Sequence, residues 1–305
     1  MLKKQFFLLL SLPCISHASS DIRHSHPSPT HDIASFHYML PISKTDFRNV
    51  GDTSLLKTFT QTTPGSSTFV DTVGFQGTST SSAIGGNCAL FIQSDNVIID
   101  LGGKTLYQNN SNNNAMYGIE ISAGQKNVTI KNGSIVGFTG AGIYVHAGCD
   151  NIRIQNVAIS KCGRQDMYLQ GTTVDGTEVT NCIIDNVIIS RTTGISTVAN
   201  AVGLQLDYCQ NIFVQNSVFC HSDGRAANKD GIGVLIQNGI DVIFDHCDAS
   251  TNKGMNAYGF QITGTDTGTS ACAFTNCTAQ NNSGSNSVSG TGYGFYSSIV
   301  SSCLW

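Results

Sequence analysis

A short pattern that returns every thirty residues constrains this chain more than any other feature. The segments beginning at residues 151, 181, 211, 241 and 271 read NIRIQNVAIS, NCIIDNVIIS, NIFVQNSVFC, DVIFDHCDAS and ACAFTNCTAQ. Asn156, Asn186, Asn216, His246 and Asn276 share one position of that frame, and Asn132 matches it 24 residues before Asn156. Asn96-Val-Ile-Ile-Asp100 fits the same template further upstream. A second element precedes each copy: Gly118-Ile-Glu-Ile, Gly142-Ile-Tyr-Val, Gly203-Leu-Gln-Leu, Gly233-Val-Leu-Ile, Gly259-Phe-Gln-Ile and Gly294-Phe-Tyr. A repeat of this length marks a solenoid, a propeller or an array, in which no unit buries its apolar face alone.

The local period decides among these. Within each copy apolar residues alternate with polar ones, the signature of strands with one buried face. Each copy holds three such runs: Gly-apolar-x-apolar, then x-apolar-x-apolar-x ending at the recurrent Asn, then a third run as in Val157-Ala-Ile159. The predicted fold is all-β: a right-handed parallel β-helix of about seven coils, each of three short strands and 24 to 35 residues. Coils stack about 4.8 Å apart. Stacking predicts inward columns, one of Val97, Val128, Ile152, Cys182, Ile212, Val242 and Cys272, another of Ile135, Ile159, Ile189, Phe219, Ala249 and Ala279. The recurrent Asn tolerates a left-handed bend, and its amide can bond the amide one coil away. Asn132, Asn156, Asn186, Asn216, His246 and Asn276 are therefore read as a structural ladder.

Composition narrows the remaining classes. Charged residues are 12% of the chain, and Glu120 and Glu178 are its two glutamates. Such a chain lacks the Glu and Lys on which helical bundles rely. The hydrophobic share of 40% is too high for wholesale disorder. A net charge of −4 leaves no basic surplus for phosphates, which argues against nucleic acid as a partner.

Lys3 and Lys4 precede an apolar run from Phe6 to Ile15, and Ser16-His17-Ala18 follows as a cleavage site. Residues 1–18 read as a signal peptide, too short to span a bilayer. The protein is accordingly expected to be exported, to the periplasm, the medium or the cell surface, with no integral membrane segment after leader removal. Residues 19–40, including His24, His26 and His31, form a polar His/Pro linker. Its histidines lack Cys or carboxylate partners at ligand spacing, so no metal site is assigned. Residues 41–87 read as an N-terminal capping segment and 88–305 as the β-helix. The last coil, from Gly294, stops before its strands are complete, which implies a longer parent or end-to-end self-association. Ten cysteines remain after the leader. Their inward positions in the frame favour free, buried thiols over disulfides.

This pattern, with the opening run Asp95-Asn-Val-Ile-Ile-Asp-Leu-Gly-Gly-Lys-Thr-Leu106, resembles the right-handed parallel β-helix of the pectate-lyase-like superfamily, as found in secreted bacterial β-helix repeat proteins. The resemblance covers about residues 83–305 and implies that a substrate lies along the outer face of one sheet. On the first strand of each coil two outward columns are expected there. The first holds Phe91, Glu120, Tyr144, Tyr168, Gln205, Leu235, Gln261 and Tyr296, and the second holds Gln93, Ser122, His146, Gln170, Asp207, Gln237, Thr263 and Ser298. Glu120, Tyr144, His146, Tyr168, Gln205, Asp207 and Gln261 form the candidate binding face, suited to sugar rings through stacking and hydrogen bonding.

Catalysis is less well supported. Glu120 and Asp207 lie three coils apart, about 14 Å, beyond the roughly 5–9.5 Å of a glycosidase pair. The Asn-Thr-Asp, Asp-Asp, Gly-His-Gly and Arg-Ile-Lys segments of polygalacturonase-like enzymes do not occur. Asp241-Val-Ile-Phe-Asp245-His246-Cys-Asp248 is faintly similar to a pectate-lyase strand motif but falls in the repeat frame. The remaining acid, base and cation cluster is the loop with His221, Asp223, Arg225 and Asp230, expected to project beside Lys161, Arg164 and Asp166. The leading expectation is an exported, non-catalytic protein binding polysaccharide or a cell-surface glycan, without cofactor. Two alternatives stand beside it: a polyuronide lyase or glycoside hydrolase using Asp207, His221, Asp223, Arg225 or Asp230, with calcium only in the lyase case, and a fragment of a larger surface protein or adhesin.

Overall fold

The computed structural model describes residues 44–47, 54–55, 59–69, 73–75, 88–108, 117–193, 200–224, 228–264, 271–285, 290–298 and 303–304. All belong to one unit, Ile42 to Trp305. The expected leader and His/Pro linker lie outside the described residues, as do Arg225, Ile299, Val300 and Trp305.

Every regular element among the described residues is a strand. One sheet has nine strands, running in chain order from Phe59–Gln61 through Cys88–Ile92, Tyr117–Ile121, Ile143–Val145, Gln165–Gln170, Ala201–Asp207, Gly231–Gln237 and Ala257–Thr263 to Gly292–Ser297. A second sheet has fifteen, and its main path runs from Lys44–Phe47 to Cys303–Leu304. All pairings are parallel and join equivalent residues of successive coils, as Val128 pairs with Val97 and with Ile152. The chain is a right-handed parallel β-helix. The ladder starts earlier than the visible repeat: Lys44–Phe47 pairs with Gly65–Phe69, which pairs with Val97–Asp100. The segment read as a cap thus contributes strands to both sheets, although it lacks the recurrent motif.

Tight bends hold the coils closed. Lys126–Val136 and Asp150–Ser160 each carry the second and third runs as one strand, bent at Asn132 (φ 60°) and Asn156 (φ 54°). Asn186, Asn216, His246 and Asn276 continue that left-handed column. A second column contains Asn96, Asn127, Asn151, Asn181, Asn211 and Asp241, and a third contains Lys161, Arg191, His221, Thr251 and Asn281. Asn lowers the cost of this conformation through local hydrogen bonds of its short amide.

The amides form the ladder side chain to side chain. Asn156 Nδ2 donates to Asn132 Oδ1 at 3.2 Å and Asn186 Nδ2 to Asn156 Oδ1 at 2.8 Å. Asn216 and Asn276 instead donate to Asp185 and Asp245, and His246 pairs with its neighbour Asp245 at 2.9 Å. The ladder is exposed from Asn156 onward. Parallel ladders not foreseen from sequence run through Asn96, Asn127 and Asn151, at 2.9 and 2.7 Å, and through the buried Asn252 to Asn282 at 3.0 Å.

The core is the stack of inward columns, with Ile152, Ile159, Ile189, Ile212 and Phe219 buried almost completely. The recurrent glycine marks where the coil narrows. A Cβ on Gly142 would lie 2.4 Å from Ile159 Cγ2 and 2.8 Å from the Asp166 carbonyl oxygen.

Candidate functional site

The outer face of the nine-stranded sheet carries both outward columns in register. Glu120 pairs with Phe91 and Tyr144, Tyr144 with Tyr168, Tyr168 with Gln205, Gln205 with Leu235, and Leu235 with Gln261. Asp207 stands between Gln170 and Gln237 in the neighbouring column. Alternation along each strand directs these side chains away from the core.

Hydrogen bonds then join the two columns across the rungs. His146 Nε2 lies 2.7 Å from Glu120 Oε1, and Glu120 is only 2% exposed. The Tyr144 hydroxyl donates to Gln170 Oε1, and the Tyr168 hydroxyl donates to Asp207 Oδ2 at 2.6 Å. Gln205 Nε2 donates to Asp207 Oδ2 at 3.0 Å and Gln237 Oε1 at 3.2 Å, while its own Oε1 accepts from Gln165 Nε2 at 2.8 Å. The rings of Tyr117, Tyr144 and Tyr168 follow one another at 4.9 and 5.2 Å, and His146 lies 4.3 Å from Tyr144. Burial raises the Asp207 carboxyl above its ordinary range, against the donors Tyr168 and Gln205 that lower it. Burial also pushes the Tyr144 and Tyr168 hydroxyls up, with nearby carboxylates adding to the effect. These phenols therefore stay protonated and act as donors at neutral pH.

Further along, the face becomes apolar. Val202, Ile232, Leu235 and Tyr258 form a cluster of their own, with Tyr293 and Tyr296 packed against it. Strict alternation puts Val202 and Gln205 on opposite sides, yet Val202 packs in the same cluster as Leu235. The intervening Gly203 interrupts the alternation. The same offset explains why Tyr117, just before Gly118, reaches the Tyr144 ring, a contact the alternation rule missed. Arg164 adds a positive charge near Tyr117 and opposes the rise in that hydroxyl's pKa.

The other acid–base candidates do not assemble around this network. His221 occupies the left-handed bend repeated at Lys161 and Thr251. Asp223 continues a parallel ladder from Thr193 to Lys253. Asp230 accepts from the backbone and side-chain nitrogens of Asn256, at 2.9 and 3.1 Å. It approaches the face only at its edge, where it helps burial raise the Tyr258 hydroxyl to about 12. Arg225 lies outside the described residues. Asp166, expected to project, is fully buried: it replaces the recurrent glycine and accepts from the Cys162 backbone N–H at 3.0 Å and from the Thr192 hydroxyl. Among the described residues no group of three or more His, Cys, Asp or Glu is placed to hold a metal ion, and no helix is long and apolar enough to cross a membrane.

Parallel strands stacked coil on coil in register define the class of protein, a right-handed parallel β-helix. The model of the family described as "Right handed beta helix region" matches residues 73–226, half of the chain, and the chain belongs to that family. No curated protein matches it. Solved structures similar to it include full-length tailspike protein 2 (TSP2, ORF211) from Escherichia coli O157:H7 bacteriophage CAB120, at 10% identity and TM-score 0.44 over 72% of this chain. The chain spans about a third of the length of that tailspike, 34%. Alginate lyase from Paenibacillus sp. str. FPU-7 is similar at 14% identity and TM-score 0.38, covering 80% of this chain and 91% of the lyase. The A-module of Azotobacter vinelandii mannuronan C-5 epimerase AlgE4 is similar at 11% identity and TM-score 0.28, covering 79% and 91%. None of these likenesses bears on the chemistry of the outer face.

Proposed function

We propose that the protein is exported and binds polysaccharide along the outer face of its nine-stranded sheet, without catalysing a reaction. The observation that carries this reading is the network of Tyr144, Tyr168, Gln165, Gln170, Gln205, Asp207 and Gln237, which holds amides and hydroxyls in fixed directions beside stacked rings. Fixed donors and acceptors recognise sugar hydroxyls at low ordering cost, and ring faces suit the apolar faces of pyranoses. Glu120 and Asp207 are engaged by His146, Tyr168 and Gln205, and three rungs put them about 14 Å apart, too far for a glycosidase pair.

The test is calorimetric titration with a panel of neutral and acidic polysaccharides. Binding is expected for at least one, lost in Tyr144→Ala/Tyr168→Ala and retained in Val174→Ser, a change at a surface position that is 63% exposed. A panel without any binder, or binding unaffected by the double variant, refutes the assignment.

A second reading rests on Glu120, His146 and Tyr144. Glu120 holds one imidazole nitrogen and leaves Nδ1 to take a proton, while the adjacent Tyr144 hydroxyl can give one. Such a pair suits β-elimination on a uronate chain. Ultraviolet absorbance from unsaturated product, with calcium or with chelator and lost in His146→Ala, would establish this reading in place of the first.

A further inference from the structure

Among cysteines with described side chains, Cys247 and Cys277 alone occupy successive coils of one column. The bridge between Asp248 and Thr278 sets their register, and the Thr278 backbone N–H donates to the Cys247 carbonyl at 2.8 Å. The two thiols repeat one geometry. Cys247 Sγ lies 3.4 Å from the Asp245 carbonyl and 3.6 Å from that of Val214, and Cys277 Sγ lies 3.3 Å from Thr275 and 3.5 Å from Phe244. Each sulfur thus sits over the carbonyl two residues back and over one from the coil before. A rung of about 4.8 Å falls within the Cα separations of about 4.4–6.8 Å that disulfides span. Other cysteines pair with different residues, as the buried Cys182 with Ile212 and the half-buried Cys220 with Ser190.

We propose that Cys247 and Cys277 form an oxidisable dithiol pair that ties one coil to the next when a small disulfide is supplied. Cys277 is half-buried and reachable, and Cys247 is buried behind it. The Cys247 S–H lowers the Cys277 thiol below the ordinary cysteine range, against burial and the Asp245 carboxylate, which raise it. Asp245, His246 and Asp248 flank Cys247 in the sequence, and Asp245 is the carboxylate that acts on the Cys277 thiol. By contrast burial raises Cys149 to about 11 and Cys182 to about 12.

In the first step the Cys277 thiolate attacks one sulfur of oxidised glutathione. The reagent's S–S bond breaks, one glutathione thiolate leaves, and a mixed disulfide forms on Cys277. Cys247 then loses its proton to the solvent and attacks the Cys277 sulfur, expelling the second glutathione thiolate. Two protein thiols are oxidised to one disulfide, and one glutathione disulfide is reduced to two thiols. The cross-link closes a loop of thirty residues.

The experiment uses the full, reduced chain under native conditions, with oxidised glutathione and peptide mapping by mass spectrometry. A peptide pair joining Cys247 to Cys277, with loss of two hydrogens, is expected. Cys247→Ser should instead accumulate a glutathione adduct on Cys277. Cys220→Ser should behave as wild type. A persistent adduct on wild-type Cys277 without cross-link overturns the pairing. So does oxidation confined to Cys220, or to Cys272 and Cys303, whose backbones are register partners in neighbouring strands. The wild-type mapping decides the matter even if a serine variant fails to fold.

Discussion

Asp166→Asn isolates the energetics of a carboxyl enclosed in the core. The wild-type carboxyl accepts from the Cys162 N–H and the Thr192 hydroxyl, and among the described ion pairs it has no cationic partner. Burial raises its pKa from 3.8 to about 7, with both hydrogen bonds opposing the rise. The folded chain therefore holds this proton more tightly than the unfolded chain. The resulting stability is fully present below about pH 4 and is lost as pH rises through about 7. The shift of about three units, at about 1.36 kcal/mol each, makes the total loss about 4 kcal/mol. Asn fits the same site, because its Oδ1 can accept from Cys162 and its Nδ2 can donate to the Thr192 oxygen. Urea unfolding of wild type and variant between pH 4 and 8 measures the difference, and titrations shared by both cancel. The variant should gain on wild type by about 1.4 kcal/mol per pH unit across pH 4–7 and level off above that. Parallel stability curves would refute the claim that the folded core penalises an ionised Asp166.

Gly142→Ala should lower stability by about 1–3 kcal/mol in thermal unfolding, since its Cβ overlaps Ile159 and the Asp166 carbonyl. Asn186→Ala breaks one exposed amide contact, so its cost by urea midpoint should be only about 0.5–1.5 kcal/mol, with polysaccharide binding unchanged at saturation. Tyr168→Phe deletes a donor that lowers the Asp207 carboxyl, and carbon-detected NMR titration should find that pKa raised further.

Much of this molecule was legible in the sequence because a solenoid copies one dimension onto another. Period-two alternation states which residues face inward, and the recurrence of the motif from coil to coil states which residues stack. Together they place Tyr144 beside Tyr168 and Ile159 beside Ile189 without knowledge of any loop. The left-handed bends were legible at Asn156 and Asn186 for the same reason, since a forced conformation selects one residue type repeatedly. They were harder to see at Lys161, Arg191 and His221, where stacking imposes the bend on residues that do not favour it.

Tertiary structure alone decided what crosses the columns. Whether His146 meets Glu120, or Tyr168 meets Asp207, depends on side-chain rotamers and reach between rungs, which spacing does not encode. It also decided the fate of Asp166. In the sequence this residue reads as a charged loop end, but pairing with its neighbouring coils puts it in the glycine column. There Cys162 and Thr192 enclose its carboxyl. Backbone geometry fixes position along the repeat, whereas three-dimensional packing determines which polar groups water can reach.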